Sequence, residues 1–278
     1  MFPDWFAEQI NEGIQQAFAD FKDLGLTLVV RDAARNTEEQ ISQIRQMRPM
    51  LHGLAVAPWE SSRFGDFIDE LVDDGLPVVT FNNDIATSKR LFYVGCDYVA
   101  AGRLCGELIA KLAEGPGEVG IIIRNERLAN IEQRITGFRG YVSNNSDLRV
   151  VGPFKTTNSQ EETIAAVQNL LDIHPELVGL FVASDNLALV GYALQKLGKD
   201  EEITLVGYDL NDRHYRLIQE QVIQAVVCQE PFYQGYYPIK VLFDYITEKT
   251  WPARTEIVTR LEIIMKENLE FYHSFRKL

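Results

Sequence analysis

Positive charge is scarce in this sequence: 27 lysines and arginines face 40 aspartates and glutamates, a formal net charge of −13. Gripping a phosphate backbone takes clustered Lys and Arg, so this chain's own surface is not suited to nucleic acid. Cysteine is scarcer still. Cys96, Cys105 and Cys228 lie in apolar or helical contexts without CxxC or metal-ligand spacing, a pattern that points to buried thiols in a reducing, cytoplasmic compartment. The four histidines, His52, His174, His214 and His273, are scattered, and His174, in a turn before Pro175, is expected to face solvent. No apolar run is long enough to span a bilayer. The opening MFPDWFAEQINEGI has neither the basic nor the apolar region of a secretory signal. Gly115 to Gly120 spells GxGxxG but precedes a strand, so it reads as a turn. Ser184-Asp185 lacks the flanking glycines of a nucleophile elbow. There is no P-loop and no HExxH. These absences exclude the common catalytic arrangements, and the expectation is a protein that is not an enzyme and has no cofactor and no metal.

What is present is a regular βα alternation. Phe6, Ile10, Ile14, Ala17, Phe18 and Phe21 recur at spacings of three and four, which predicts a helix over Asp4–Leu24 closed by Gly25. LTLVVRD, Leu26–Asp32, reads as a strand. A helix that begins after Asn36 and runs to Arg48 follows, then a short strand GLAVA ending at Pro58-Trp59, a helix over 63–74, and the strand VVTF, which breaks at Asn82-Asn83. Apolar runs that do not alternate in polarity indicate a parallel sheet buried on both faces. After a brief strand at Leu91–Gly95, Asp97 caps a helix from Tyr98 to Ala113, on which Gly102 and Gly106 permit close approach of a neighbour. The pattern then restarts, which predicts a second, similar lobe with a crossing near Val94–Asp97. A sheet of this type normally starts with a strand before the first helix, and Met1-Phe2-Pro3 is too short to supply it. One central strand is therefore expected to be missing, leaving an unpaired edge, as in a chain without its true amino-terminal part.

The stretch Leu205–Pro231, LVGYDLNDRHYRLIQEQVIQAVVCQEP, concentrates the functional signal. Two buried strands stop abruptly at polar residues, Asp209 and Gln229. Ligands of open α/β sheets sit outside the carboxyl ends of the strands. A carboxylate and an amide there suit a polar small molecule, although Asp is also an ordinary residue between a strand and a helix.

Several segments carry a family resemblance over essentially the whole chain. They are PVVTFNND, YVGCDYVAAGRLCGELI, IEQRITGFRGY, FVASDNLALVGYA, LVGYD, VVCQEPFYQG and the closing RLEIIMKENL. In this order they resemble the effector-binding domain of the LacI/GalR transcriptional regulators, which is built like the ribose-type periplasmic sugar-binding proteins. The fold implied is α/β, two similar Rossmann-like lobes of the periplasmic binding protein-like I type. Three hinge crossings near Cys96, Gln229 and Met265 would join 1–96 plus 230–265 to 97–229 plus 266–278. By the same resemblance Arg134, Asp209 and Gln229 contact ligand hydroxyls. Asp4-Trp5-Phe6 stands where the family has Asn-Pro-Phe, with Phe6 as aromatic platform. Asn82 and Asn83, Asn158, Ser184 with Asp185, and Trp59 complete the expected ligand contacts. Such groups suit a sugar or related polyol, whose hydroxyls need convergent donors and acceptors and whose C–H faces need aromatic walls. The resemblance implies a cytoplasmic, dimeric sensor without membrane attachment. Its lobes reorient around the sugar in their cleft, and it reaches DNA only through an absent amino-terminal domain. The alternative is an extracytoplasmic solute-binding protein of a sugar ABC transporter.

Overall fold

The computed structural model describes residues 4–32, 36–59, 62–124, 128–249 and 252–274; Met1-Phe2-Pro3, judged too short for a strand, lies outside them. In chain order the elements begin α1 (Asp4–Phe21), α2 (Thr37–Met47), β1 (Leu54–Val56), α3 (Ser62–Asp73), β2 (Val78–Phe81) and β3 (Phe92–Gly95). They continue with α4 (Tyr98–Leu112), β4 (Glu118–Arg124), α5 (Ala129–Asn145), β5 (Arg149–Thr156), α6 (Gln160–Ile173), β6 (Leu177–Val182) and α7 (Leu187–Leu197). The last are β7 (Thr204–Tyr208), α8 (Asp212–Gln219), β8 (Ala225–Cys228), α9 (Pro231–Glu248), β9 (Glu256–Val258), β10 (Glu262–Ile264) and α10 (Leu269–Ser274).

The chain forms two compact units, Met1–Cys96 with Gln229–Arg260 and Asp97–Cys228 with Leu261–Leu278. The sequence reading divides the chain at 96/97, 229/230 and 265/266, whereas the units divide at 96/97, 228/229 and 260/261. The last boundary moves because β10 pairs antiparallel with β8, Glu262 opposite Cys228, and so joins the second sheet.

In the first unit a parallel sheet runs β1-β2-β3-β9. Ile41 and Ile44 of α2 and Phe64, Phe67, Ile68 and Leu71 of α3 pack with Leu54, Val56 and Val78. Leu242 of α9 packs with Val79, Phe92 and Val94. Residues that alternate along β2 therefore belong to two different clusters, as a sheet covered on both sides requires. The expected strand at Leu26–Asp32 is absent: the segment joins no ladder among the described residues, with Val29 41% and Val30 42% exposed. Its β-branched residues favour a strand, but a strand also needs a neighbouring ladder. Among the described residues β1 pairs only with β2, so no ladder is offered beyond it. The opposite edge gains β9, which at three residues is too short to stand out in the sequence.

The second sheet runs β10-β8-β7-β6-β4-β5, parallel except for β10. Ile122, Leu180, Val182, Leu205 and Val226 pack with Leu187, Val190, Leu194 and Leu217 of α7 and α8. Phe181 of β6 stacks instead on Phe138 of α5, ring centroids 4.4 Å apart. Asp97 caps α4 as expected, accepting from the Ala100 N–H at 2.8 Å. At the amino end of β4, buried Glu118 pairs with Arg149 and, at 2.7 Å, with His174 Nδ1. The imidazole expected in solvent is thus pinned to a carboxylate, because the turn after α6 carries it back onto β4.

Helices α4 and α5 touch backbone to backbone. A Cβ on Gly102 would overlap the Arg134 carbonyl oxygen, and one on Gly137 would overlap that of Val99. This yields a prediction with a diagnostic sign. At an unhindered helix position Gly→Ala stabilises by about 1 kcal/mol. Gly102→Ala is expected to destabilise by about 1–3 kcal/mol instead, since overpacking outweighs propensity. Urea denaturation reads the sign, and a more stable variant would contradict the close approach.

Candidate functional site

Asn82, Ser184, Asp209 and Gln229 fall just beyond the carboxyl ends of strands, whereas Arg134 lies on α5 and Asp4 on α1. Asn82 follows β2 and Asp209 follows β7, and both have φ of +59°. Asn and Asp tolerate the left-handed region better than other side chains with a Cβ. Each donates its backbone N–H across the sheet, Asn82 to Val94 O and Asp209 to Val227 O, both at 3.0 Å. The same backbone device thus turns a buried polar side chain out of the strand in both units.

In the second unit Arg134 is buried on α5, 7% exposed. Its Nη1 donates to Ala183 O at 3.0 Å, just past β6. Its guanidinium lies 3.8 Å from the centroid of Tyr208 and 5.1 Å from that of Tyr98. Stacking a planar cation on aromatic rings while one edge is hydrogen-bonded holds the fork of donors in place. Tyr208 immediately precedes Asp209, so the clamp and the carboxylate share one strand end. Cys105, fully buried beside Tyr208, has its thiol pushed up to about 12 by burial and is an uncharged neighbour. Tyr98 and Tyr208 were not among the expected site residues, since nothing in their local sequence marks them as flanking Arg134.

Ser184, Asp185 and Asn158 are arranged differently. Ser184 Oγ accepts from the Arg124 N–H at 2.8 Å and donates to Asn186 Oδ1 at 2.7 Å. Asn186 in turn bonds Thr156 at the end of β5. Asp185 forms an ion pair with Arg124 at 2.9 Å. This network ties together the ends of β4, β5 and β6, with Arg124, Asn186 and Thr156 as members that the sequence did not signal. Asn158 is exposed two residues beyond β5.

In the first unit Asn82 Nδ2 donates to Gln234 Oε1 at 3.0 Å, and Gln234 Nε2 donates to Gln229 O at 2.8 Å. Gln234, fully buried on α9, is the link that sequence reading missed. Tyr93 Oη donates to Asn82 O at 3.0 Å, and burial raises its pKa above the usual phenol range. Asn83 donates to Pro58 O at 3.3 Å, and the Trp59 N–H donates to Gln40 Oε1 at 3.0 Å, which fixes the loop after β1. Asp4 is exposed at the start of α1, whereas Phe6 is buried in its first turn, edge-on to Trp5 at 5.6 Å. Among the described residues no group of three or more His, Cys, Asp or Glu could hold a metal ion.

Two α/β units with buried donors and acceptors beyond their strand ends define a two-lobed α/β protein of the small-molecule-binding type. Residues 3–250 match the family model of the periplasmic binding protein domain, and the chain belongs to that family. The ribose import binding protein of Escherichia coli K12 is 24% identical over 266 residues, covering 92% of this chain and 86% of that protein. The xylose/arabinose-binding protein of Sulfolobus acidocaldarius is 24% identical over 237 residues, 80% of this chain, which spans only 58% of that relative's length. In fold, the sugar-binding protein of a sugar ABC transporter from Bacillus halodurans superposes with a TM-score of 0.86 at 24% identity, covering 96% and 95% of the two chains. A structure described as a LacI transcriptional regulator from Bacteroides fragilis also gives 0.86, at 20% identity and 96% and 94% coverage. The likeness to a regulator therefore rests on fold.

Proposed function

We propose that this chain binds a neutral pentose or hexose and serves as the solute-binding component of a sugar ABC transporter. The arrangement of Arg134, its guanidinium over the rings of Tyr208 and Tyr98 at the strand end that carries Asp209, supports this reading most directly. A planar donor fork and a carboxylate acceptor satisfy adjacent hydroxyls of a sugar, and a rigid pair rejects analogues that leave either group unpaired. The curated relatives named for ribose import and for xylose and arabinose favour transport over the regulator expected from sequence. This reading moves the protein's proposed location from the cytoplasm to the outer side of the membrane. No helix among the described residues is long and apolar enough to cross a membrane.

Thermal denaturation with D-ribose, D-xylose, L-arabinose, D-allose and D-glucose tests the proposal. A ligand at 100 times its Kd stabilises the folded state by about 2.7 kcal/mol. At least one sugar is expected to raise Tm, and Asp209→Ala is expected to abolish that rise. A panel without any shift would overturn the sugar reading, and a rise that survives Asp209→Ala would remove Asp209 from the site. The regulator reading retains the fold likeness to the Bacteroides fragilis structure and calls for a stable homodimer. Sedimentation of a monomer with and without sugar would favour transport.

A further inference from the structure

We propose that His214 is a positioning residue that holds the Asp209 backbone in its left-handed conformation, and so aims the carboxylate at the ligand. The inference rests on the sugar-site reading above and adds a residue to it. Asp209 has φ of +59°, a region that a residue with a Cβ occupies only when its surroundings hold it there. One side is held by the N–H bond to Val227 O. The other side is held by His214 Nδ1, 2.8 Å from the Asp209 carbonyl oxygen. A carbonyl oxygen can only accept, so Nδ1 carries the proton. The imidazole is itself built in. It is 1% exposed, and its backbone N–H donates to Asn211 Oδ1 at 2.9 Å, the cap of α8. Its Nε2 lies 3.4 Å from Asn211 Nδ2, an amide donor. Protonated Nδ1 and bare Nε2 match these two partners, whereas an imidazolium would set donor against donor. Burial agrees, pushing the His214 pKa down to about 4 and keeping the ring neutral at pH 7. A neutral histidine with its tautomer fixed by one carbonyl serves as a rigid strut between α8 and the end of β7.

Two amide substitutions separate the nitrogens. Asn places an N–H near the Nδ1 position, whereas Gln carries its amide out to the Nε2 position. Titration calorimetry of the full chain with D-ribose, D-xylose and D-allose is the readout. His214→Asn is expected to keep the sugar Kd within about threefold, while His214→Gln and His214→Leu raise it by about 30-fold or more, since small misplacements of a contacting group weaken binding strongly. A merely structural role would lower stability in all three variants without separating Asn from Gln in affinity. Equal affinities for those two variants would overturn the proposal. Nitrogen-15 NMR of the imidazole gives an arm independent of sugar, in which a protonated Nδ1 and bare Nε2 are expected and the reverse tautomer would overturn the proposal. If wild type binds none of the sugars, the sugar reading falls while the tautomer still decides the strut.

Discussion

Arg134→Ala is expected to abolish measurable sugar binding, raising Kd by on the order of 100-fold or more, the usual consequence of truncating one member of a buried, hydrogen-bonded charge set. The effect should be large because the side chain is almost fully preorganised. Its guanidinium is flanked by Tyr208 and Tyr98, and Nη1 is engaged by Ala183 O. Little rotamer entropy remains to be lost on binding, so most of the interaction with ligand hydroxyls appears as affinity. Arg134→Lys distinguishes shape from charge. An ammonium keeps the positive charge but neither stacks as a plane nor offers a fork, so it should recover less than a tenth of wild-type affinity. Calorimetry with the stabilising sugar measures both variants. An alanine variant within about threefold of wild type would show that Arg134 is a structural cation and not a contact, since genuine contact residues at such sites cost far more.

Phe138→Ala is expected to lower stability by about 3–5 kcal/mol, the range for removing a fully buried phenyl ring. Phe138 is unexposed and stacks on unexposed Phe181 at an interplanar angle of 12°. Phe181 in turn meets Tyr208 edge-on at 5.8 Å, and Tyr208 carries Arg134. One aromatic column therefore belongs both to the core of the second unit and to the support of the candidate site. Urea denaturation should show the loss, and sugar affinity should fall with it although Phe138 lies on α5 a full turn beyond Arg134. A loss below about 1 kcal/mol would mean that the ring is not close-packed. Phe138→Leu should recover much of the stability but less of the affinity, because an aliphatic group fills volume without offering Phe181 a flat face.

Some of the site was legible in the sequence and some was not. Asn82 and Asp209 stood out because a polar residue abruptly ends an apolar run, which is a local signal. Their shared left-handed backbone was not legible, because it depends on partners in other strands, Val94 and Val227. Arg134 was placed by resemblance, but the tyrosines that flank it come from α4 and from the end of β7, far away in sequence. Gln234 and His214 look like ordinary helix residues until their hydrogen bonds to Gln229 and Asp209 are known. Leu26–Asp32 is the opposite case, since its composition favours a strand and its surroundings offer it none.

By itself the sequence determined the α/β class, the repeat of two lobes, the close approach at Gly102 and the strand ends where polar groups emerge. These follow from periodicity, from turn chemistry and from the steric uniqueness of glycine, all of which act within a few residues. Tertiary structure alone decided which apolar run becomes a strand, which unit takes β10, and which side chains hold Arg134 and Asp209. A ladder, a cation–aromatic stack or a buried hydrogen bond takes its energy from a partner that only the folded chain brings within reach.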